Sequence, residues 1–183
     1  MKIDARTRYT LNVIKENFIK LLKDNTVEKV TVKKLCDEAE INRATFYRYY
    51  EDVFDLYEKF KEELIEEIFS DFKFKGVSSI QEDLAYFLES IRKNADAVHA
   101  LSNQKDSMNF MQSVCEREYY YFEDNFKIVC SGLNKSQLMT AYYFIVCGST
   151  GIIAAWVTRG MKDNEKIIAE NLTRLITNTL SDL

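Results

Sequence analysis

TVKKLCDEAEINRATFYRYY, residues 31–50, is the stretch that decides the fold. Val32, Leu35, Cys36 and Ala39 stand at i, i+3, i+4 and i+7, one apolar stripe along a short helix. Thr31, just ahead of the stripe, has the hydroxyl that an N-cap uses to accept from a free backbone N–H. The stripe breaks at Glu40 and Ile41, and Asn42 then supplies a second N-cap. In the helix that Asn42 starts, Phe46 and Tyr50 share a face. Asn42, Arg43, Ala44, Thr45, Tyr47 and Arg48 are left outside. The pattern predicts two short helices joined by a tight turn.

A helix with a polar N-terminal end turned outward suits the major groove of DNA. The groove admits one helix, and base edges are read from the helix's first residues. Arg43 has the fork to pair with guanine, and Ala44 and Thr45 suit a thymine methyl. Tyr47 and Arg48 suit phosphates, and Lys33 and Lys34 lie one turn into the preceding helix. Thr31, Asn42 and Tyr49 complete the candidate DNA contacts. Arg6, Arg8 and Tyr9 stand further forward, near where a phosphate backbone would pass.

These residues resemble the first domain of the tetracycline-repressor (TetR) family of bacterial transcription regulators. The resemblance rests on Thr31, Val32, Leu35, Cys36, Ala39, Ile41, Thr45, Phe46, Tyr47, Tyr49 and Tyr50 at the family's spacing. It covers the first third of the chain densely. The C-terminal region is similar to the subgroup typical of Firmicutes regulators. Two positions depart from the pattern. The resemblance implies a glycine in the turn, where Glu40 stands, and a phosphate-binding lysine opening the next helix, where Val53 stands. The first implies a strained turn, and the second implies weaker backbone affinity unless another cation substitutes.

Composition agrees with a helical, soluble chain. Its 183 residues include no proline and five glycines, the two residues that interrupt helices most. The four cysteines have no CxxC spacing and are expected to be small buried apolar residues in a reducing cytoplasm. The first residues, Met-Lys-Ile-Asp, form no apolar signal segment. The net charge of −4 divides unevenly. Residues 1–50 hold eleven Lys and Arg against seven Asp and Glu, and the rest hold fourteen against twenty-two. The positive excess lies with the DNA-reading motif, as phosphate binding requires.

Along the chain, a first helix is expected over Asp4–Lys23, with Val27 and Val30 plugging the loop behind it. A fourth helix is expected over Val53–Phe74, about 33 Å long, with Asp52 as its cap. That length would carry it from the DNA-binding part into the rest. Ser78 and Ser79 with Gln81 and Glu82 predict a capping box for a helix through Ile80 and Ile91. A short helix near Ala95–Leu101, a polar break at Ser102–Asp106 and a long helix from Ser107 to Ser131 follow. No charge occurs between Lys135 and Arg159, long enough for a membrane span. Its polar residues and its glycines favour a helix buried on both sides instead. A last helix is expected over Asp163–Leu180.

Tyr86, Phe110, Met111, Tyr121, Phe144 and Cys147 are the expected lining of a pocket for a small apolar or aromatic effector. Ile152, Ala155, Trp156, Ile168, Leu172, Leu175 and Ile176 are the expected dimer interface. His99 is the single histidine, so no metal site and no Ser-His-Asp or Cys-His set is expected. Neither a cofactor nor an enzymatic activity is expected.

The sequence therefore predicts an all-α, cytoplasmic homodimer of about nine helices per chain. Residues 1–52 would form a helix-turn-helix DNA-binding domain, and residues 53–183 a helical dimerisation and effector-binding domain. It would regulate transcription as a repressor on a palindromic double-stranded operator, released by its effector. An activator, or a partner-regulated interaction protein with weakened DNA binding, is the alternative.

Overall fold

The structure is a computed structural model, and it describes residues 4–70, 80–105, 107, 110 and 134–181. Eight α-helices and no strand occur among the described residues. They are α1 (Ala5–Asp24), α2 (Val32–Glu38), α3 (Arg43–Phe46), α4 (Val53–Phe69), α5 (Ile80–Lys93), α6 (Ala95–Ser102), α7 (Lys135–Thr158) and α8 (Glu165–Ser181). A 3₁₀ turn, Val27–Lys29, links α1 to α2. The long helix expected over 107–131 falls almost wholly outside the described residues, as do Gly76, Ser78, Ser79 and Gly132.

The chain divides into two compact units. The first comprises Met1–Glu66 with Asp96–Ser107, the second Glu67–Ala95 with Met108–Leu183. The expected division was at residue 52. Most of α4 belongs with the first unit because Leu56, Tyr57, Phe60 and Leu64 are buried along it. Segment 96–107, remote in sequence, joins the same unit.

In the first unit the core is set by the apolar stripes. Ile14, Phe18 and Leu22 of α1, Leu35 of α2, Phe46 of α3 and Leu56 of α4 are all nearly inaccessible to solvent. Each such burial stabilises the unit by about 1.5–3 kcal/mol. The Phe18 ring meets Tyr57 and Phe60 edge-on, with centroids 6.5 and 6.0 Å away. Val27 and Val30 are buried, as their role as plugs requires.

Segment 96–107 is held to the end of α1 by polar contacts. Lys23 pairs with Asp96 at 2.7 Å and Lys105 with Glu28 at 3.2 Å. Gln104 is only 4% exposed, so the segment expected to be a polar break has a buried centre.

In the second unit α5 packs along α8, with Phe87, Leu88 and Ile91 buried from one helix and Ala169, Leu172 and Ile176 from the other. Arg92 closes the end of α5. Its Nε donates to Glu165 at 2.8 Å, a second nitrogen donates to the Asp163 carbonyl at 2.7 Å, and the guanidinium lies 5.1 Å from the centre of the Trp156 ring. The same Asp163 carbonyl accepts from the Trp156 indole N–H at 3.0 Å. One side chain thus ties α5 to the corner between α7 and α8.

One helix end differs from expectation. α4 stops at Phe69, not Phe74. The Ser70 N–H and hydroxyl both turn back to the Glu67 carbonyl, at 3.3 and 2.9 Å, and end the regular ladder. α7 starts at Lys135 with a capping box: Asn134 accepts from the Gln137 N–H and Gln137 accepts from the Asn134 N–H. α7 is also not buried on both sides within the chain. It is long and apolar enough to cross a membrane, and 17% of its most apolar window is buried. Ala141, Tyr142, Ile153, Trp156 and Val157 face inward, while Tyr143, Phe144 and Ile152 are exposed.

Candidate nucleic-acid interface

Both caps expected from the sequence are made. Thr31 Oγ1 accepts from the Lys34 N–H at 3.2 Å and starts α2. Asn42 Oδ1 accepts from the Thr45 N–H at 2.8 Å and also from the Thr45 hydroxyl at 2.9 Å. Asn42 and Thr45 therefore lock one another at the first turn of α3. The Asn42 oxygen is engaged locally, which leaves its amide NH₂ as the part that is free to meet another molecule.

The turn between α2 and α3 has a defined geometry. The Ile41 N–H donates to the Cys36 carbonyl at 3.0 Å and the Glu40 N–H to the Asp37 carbonyl at 3.4 Å. These are the two bonds of a Schellman helix ending, whose turning residue is usually glycine. Here it is Glu40, at φ +52°, in the left-handed region. The expected strain is thus located at one residue.

The candidate contacts gather around this turn. Thr31, Lys33, Lys34, Asn42, Arg43, Ala44, Tyr47 and Arg48 are exposed, and Thr45 and Tyr49 are half-buried. Among the described residues, none of Lys33, Lys34, Arg43 and Arg48 is held in an ion pair, whereas Lys15, Lys23, Lys59 and Arg92 are. Phe46 and Tyr50 anchor the other face of α3, with ring centroids 5.5 Å apart. The Cys36 thiol behind the turn is pushed up by burial. The Tyr50 phenol is likewise raised by burial and then by Glu63 and Asp55.

At the start of α4, Val53 is buried, so this position packs the core and faces no phosphate. Asp52 accepts from the Asp55 N–H at 2.8 Å and Asp55 accepts from the Glu51 N–H at 2.9 Å. Two aspartates three apart thus cap the start of α4 and hold the residue before it, a readable signal beyond the single cap expected at Asp52. Lys59 pairs with Asp55 at 2.8 Å, reaches the Tyr49 carbonyl at 3.4 Å and lies 5.5 Å from the Tyr50 ring centre. It braces the end of α3, and its charge is answered by Asp55. Gln104 was also missed, because no local pattern marks it.

The other expected sites are less well gathered. Of the effector-pocket residues, Phe110 is buried, Tyr86 is 37% exposed, and Phe144 and Cys147 lie open on α7. Met111 and Tyr121 lie outside the described residues. Of the expected interface residues, Trp156, Leu172 and Ile176 are buried within the chain itself, the first beneath Arg92 and the others on the inward face of α8. Ile152, Ala155 and Leu175 are exposed and Ile168 is half-buried.

The comparisons with known proteins agree with this architecture. An uncharacterised HTH-type transcriptional regulator of Bacillus subtilis (strain 168), YxbF, is 27% identical over 119 residues. The match spans 62% of this chain and 29% of that protein's length. A TetR transcriptional regulator from Streptococcus agalactiae 2603V has the same fold, with TM-score 0.67 at 20% identity over 93% of this chain and 95% of that one. A TetR-like regulator from Rhodococcus sp. RHA1 gives 0.68 at 17% identity over the whole of both chains. FadR from Bacillus subtilis, solved in complex with stearoyl-CoA, gives 0.66 at 14% identity over 90% and 96%. The family model for a transcriptional regulator C-terminal region of the TetR type matches residues 78–178, more than half of the chain. The chain belongs to the TetR family of transcriptional regulators.

Proposed function

We propose that this protein binds a palindromic DNA operator as a homodimer and represses transcription, with α3 entering the major groove. The observation that carries the reading is the α3 entrance. Arg43, Ala44, Tyr47 and Arg48 stand exposed around a locked Asn42–Thr45 cap, and neither arginine is in an ion pair among the described residues. Arg43 reads a guanine, Ala44 and Thr45 meet a thymine methyl, and Lys33, Lys34, Tyr47 and Arg48 position the backbone. Thr31 and Asn42 act chiefly as caps, and Tyr49 supports α3 through its carbonyl. Such a protein works where the DNA is, in the cytoplasm.

Dimerisation is assigned to the open face of α7 and α8. Tyr143, Phe144, Gly148, Gly151, Ile152 and Ala155 on one helix and Ile167 and Leu175 on the other are exposed. A Cβ placed at Gly148 or Gly151 meets nothing within 4 Å, so a neighbouring backbone has room to approach. A two-fold dimer sets its recognition helices about 34–36 Å apart, or a multiple of that, to match the half-sites. This face, and not a bilayer, is the reason α7 is so apolar.

A small apolar or aromatic effector in the second unit would release the operator by changing that separation. A coupling of about 1–3 kcal/mol weakens binding 5- to 150-fold. FadR of Bacillus subtilis, which shares the fold, was solved in complex with stearoyl-CoA, a ligand with a long apolar acyl chain on a charged head. The outward placement of Phe144 and Cys147 favours a second reading, in which regulation comes from a protein partner and no small molecule is needed.

The test is fluorescence anisotropy on the DNA upstream of its own gene beside a scrambled duplex, at two salt concentrations. Binding ~10³-fold tighter than to the scramble, and weakening with salt, is expected. Arg43→Ala should cost ~1–3 kcal/mol and relax preference at one base position. Equal binding by the variant would remove α3 as the reader.

A further inference from the structure

The buried Gln104 lies outside the candidate interface, yet it touches the segment that leads into it. Its side-chain oxygen accepts from the Val27 N–H at 2.9 Å. Its amide nitrogen donates to the Ala100 carbonyl at 3.0 Å and approaches the Asn25 and Leu22 carbonyls at 3.4 and 3.5 Å. Leu22 and Asn25 end α1, and Val27 begins the 3₁₀ turn whose continuation, Val30 and Thr31, starts α2. One amide therefore takes up backbone groups that the end of α1 leaves without helical partners. A buried N–H deprived of its acceptor loses its water without gaining a partner, so the turn has a strong preference for this one seat.

We infer that Gln104 is a positioning residue for DNA recognition: it fixes the turn Val27–Lys29, and through it the start of α2 and the setting of the helix-turn-helix. Three features support this. The contact is buried, whereas the neighbouring pairs Lys23–Asp96 and Lys105–Glu28 are exposed and individually weak. The turn itself is short, with a backbone bond from the Lys29 N–H to the Thr26 carbonyl at 2.9 Å and one from the Val30 N–H to the Val27 carbonyl at 3.1 Å. Beyond it the path to the Thr31 cap is four residues from Val27, so a displacement at Val27 reaches α2 with little chain to absorb it. Gln104 makes no contact with DNA in this scheme and acts through the Val27 turn and the end of α1.

This inference rests on α3 being the DNA reader. The experiment uses the full chain and a duplex recovered by wild-type selection from a random-sequence pool. Gln104→Met keeps the length of the side chain and removes every hydrogen bond. Gln104→Ala removes the same hydrogen bonds but leaves room for water to reach the freed groups, and it carries the test if the first variant does not fold. Operator affinity is measured at a temperature where circular dichroism shows the variant folded, together with hydrogen exchange of the Val27 amide. The expected result is a loss of about tenfold for Gln104→Met and a smaller loss for Gln104→Ala, where water can meet the Val27 N–H, in step with faster Val27 exchange. A folded variant that exchanges faster at Val27 yet binds within about twofold of wild type would make the contact purely structural and overturn the inference. If the wild type selects no duplex, the DNA-reading assignment itself fails, and this inference falls with it.

Discussion

Glu40 occupies a backbone conformation that disfavours it. A non-glycine residue in the left-handed region loses about 1–2 kcal/mol to the clash between Cβ and the following carbonyl. The Schellman bonds on either side hold it there. Glu40→Gly should therefore stabilise the protein by about 1 kcal/mol, less the extra freedom gained by the unfolded chain. Urea denaturation checks this: the midpoint should rise with an unchanged slope, and an unchanged midpoint would mean that the turn carries no strain. The turn could be read in the sequence because every residue that makes it lies within six positions. Gln104 could not. A glutamine in a run of polar residues looks solvated, and its partner, Val27, is 77 positions away.

At the scale of elements, the end of α1 and the turn after it depend on ionisation. The Thr26 side chain, the Glu28 backbone N–H and Lys105 hold the Glu28 carboxyl down from 4.5 to about 2. A folded pKa below the unfolded one means that the stabilisation is complete above the ordinary carboxylate range. It is lost as pH falls from about 4.5 through about 2. Asp55, lowered mainly by Lys59, acts in the same sense. Thermal melts stepped through that window should show a falling midpoint, and Glu28→Gln should flatten the fall slightly, since the carboxyl is exposed and its pairing is screened by water. A variant with the wild-type acid slope would place the loss elsewhere. The caps at Thr31, Asn42 and Asp52 were legible for the reason the turn was, since a cap and its N–H are neighbours. The end of α4 was not. Phe72 and Phe74 continue the apolar spacing past Phe69, and nothing in that spacing shows Ser70 turning back to Glu67.

Over the whole molecule, composition shows that α7 must be covered without showing by what. Trp156, Leu172 and Ile176 look the same in sequence as Ile152 and Leu175, yet the first three fill the chain's own core and the last two are open. The proposed dimer makes these groups separable. Ile152→Glu with Leu175→Glu should turn a dimer into a monomer in analytical ultracentrifugation while helical circular dichroism persists. Trp156→Ala should instead destabilise the chain by about 3–5 kcal/mol. A charged double variant that still sediments as a dimer would place the interface on another face.

The first unit is assembled from two stretches of chain with residues 67–95 between them. During synthesis the helix-turn-helix therefore emerges before the piece that seats its leading turn. About forty more residues separate Glu66 from Ser107. At roughly 5–20 residues per second, a ribosome needs a few seconds to supply them. Until then the nascent chain holds α1 through α3 with the Val27 N–H unclaimed by Gln104. A polypeptide cut short between Tyr50 and Gln104 carries the proposed groove-reading stretch without the amide proposed to set it.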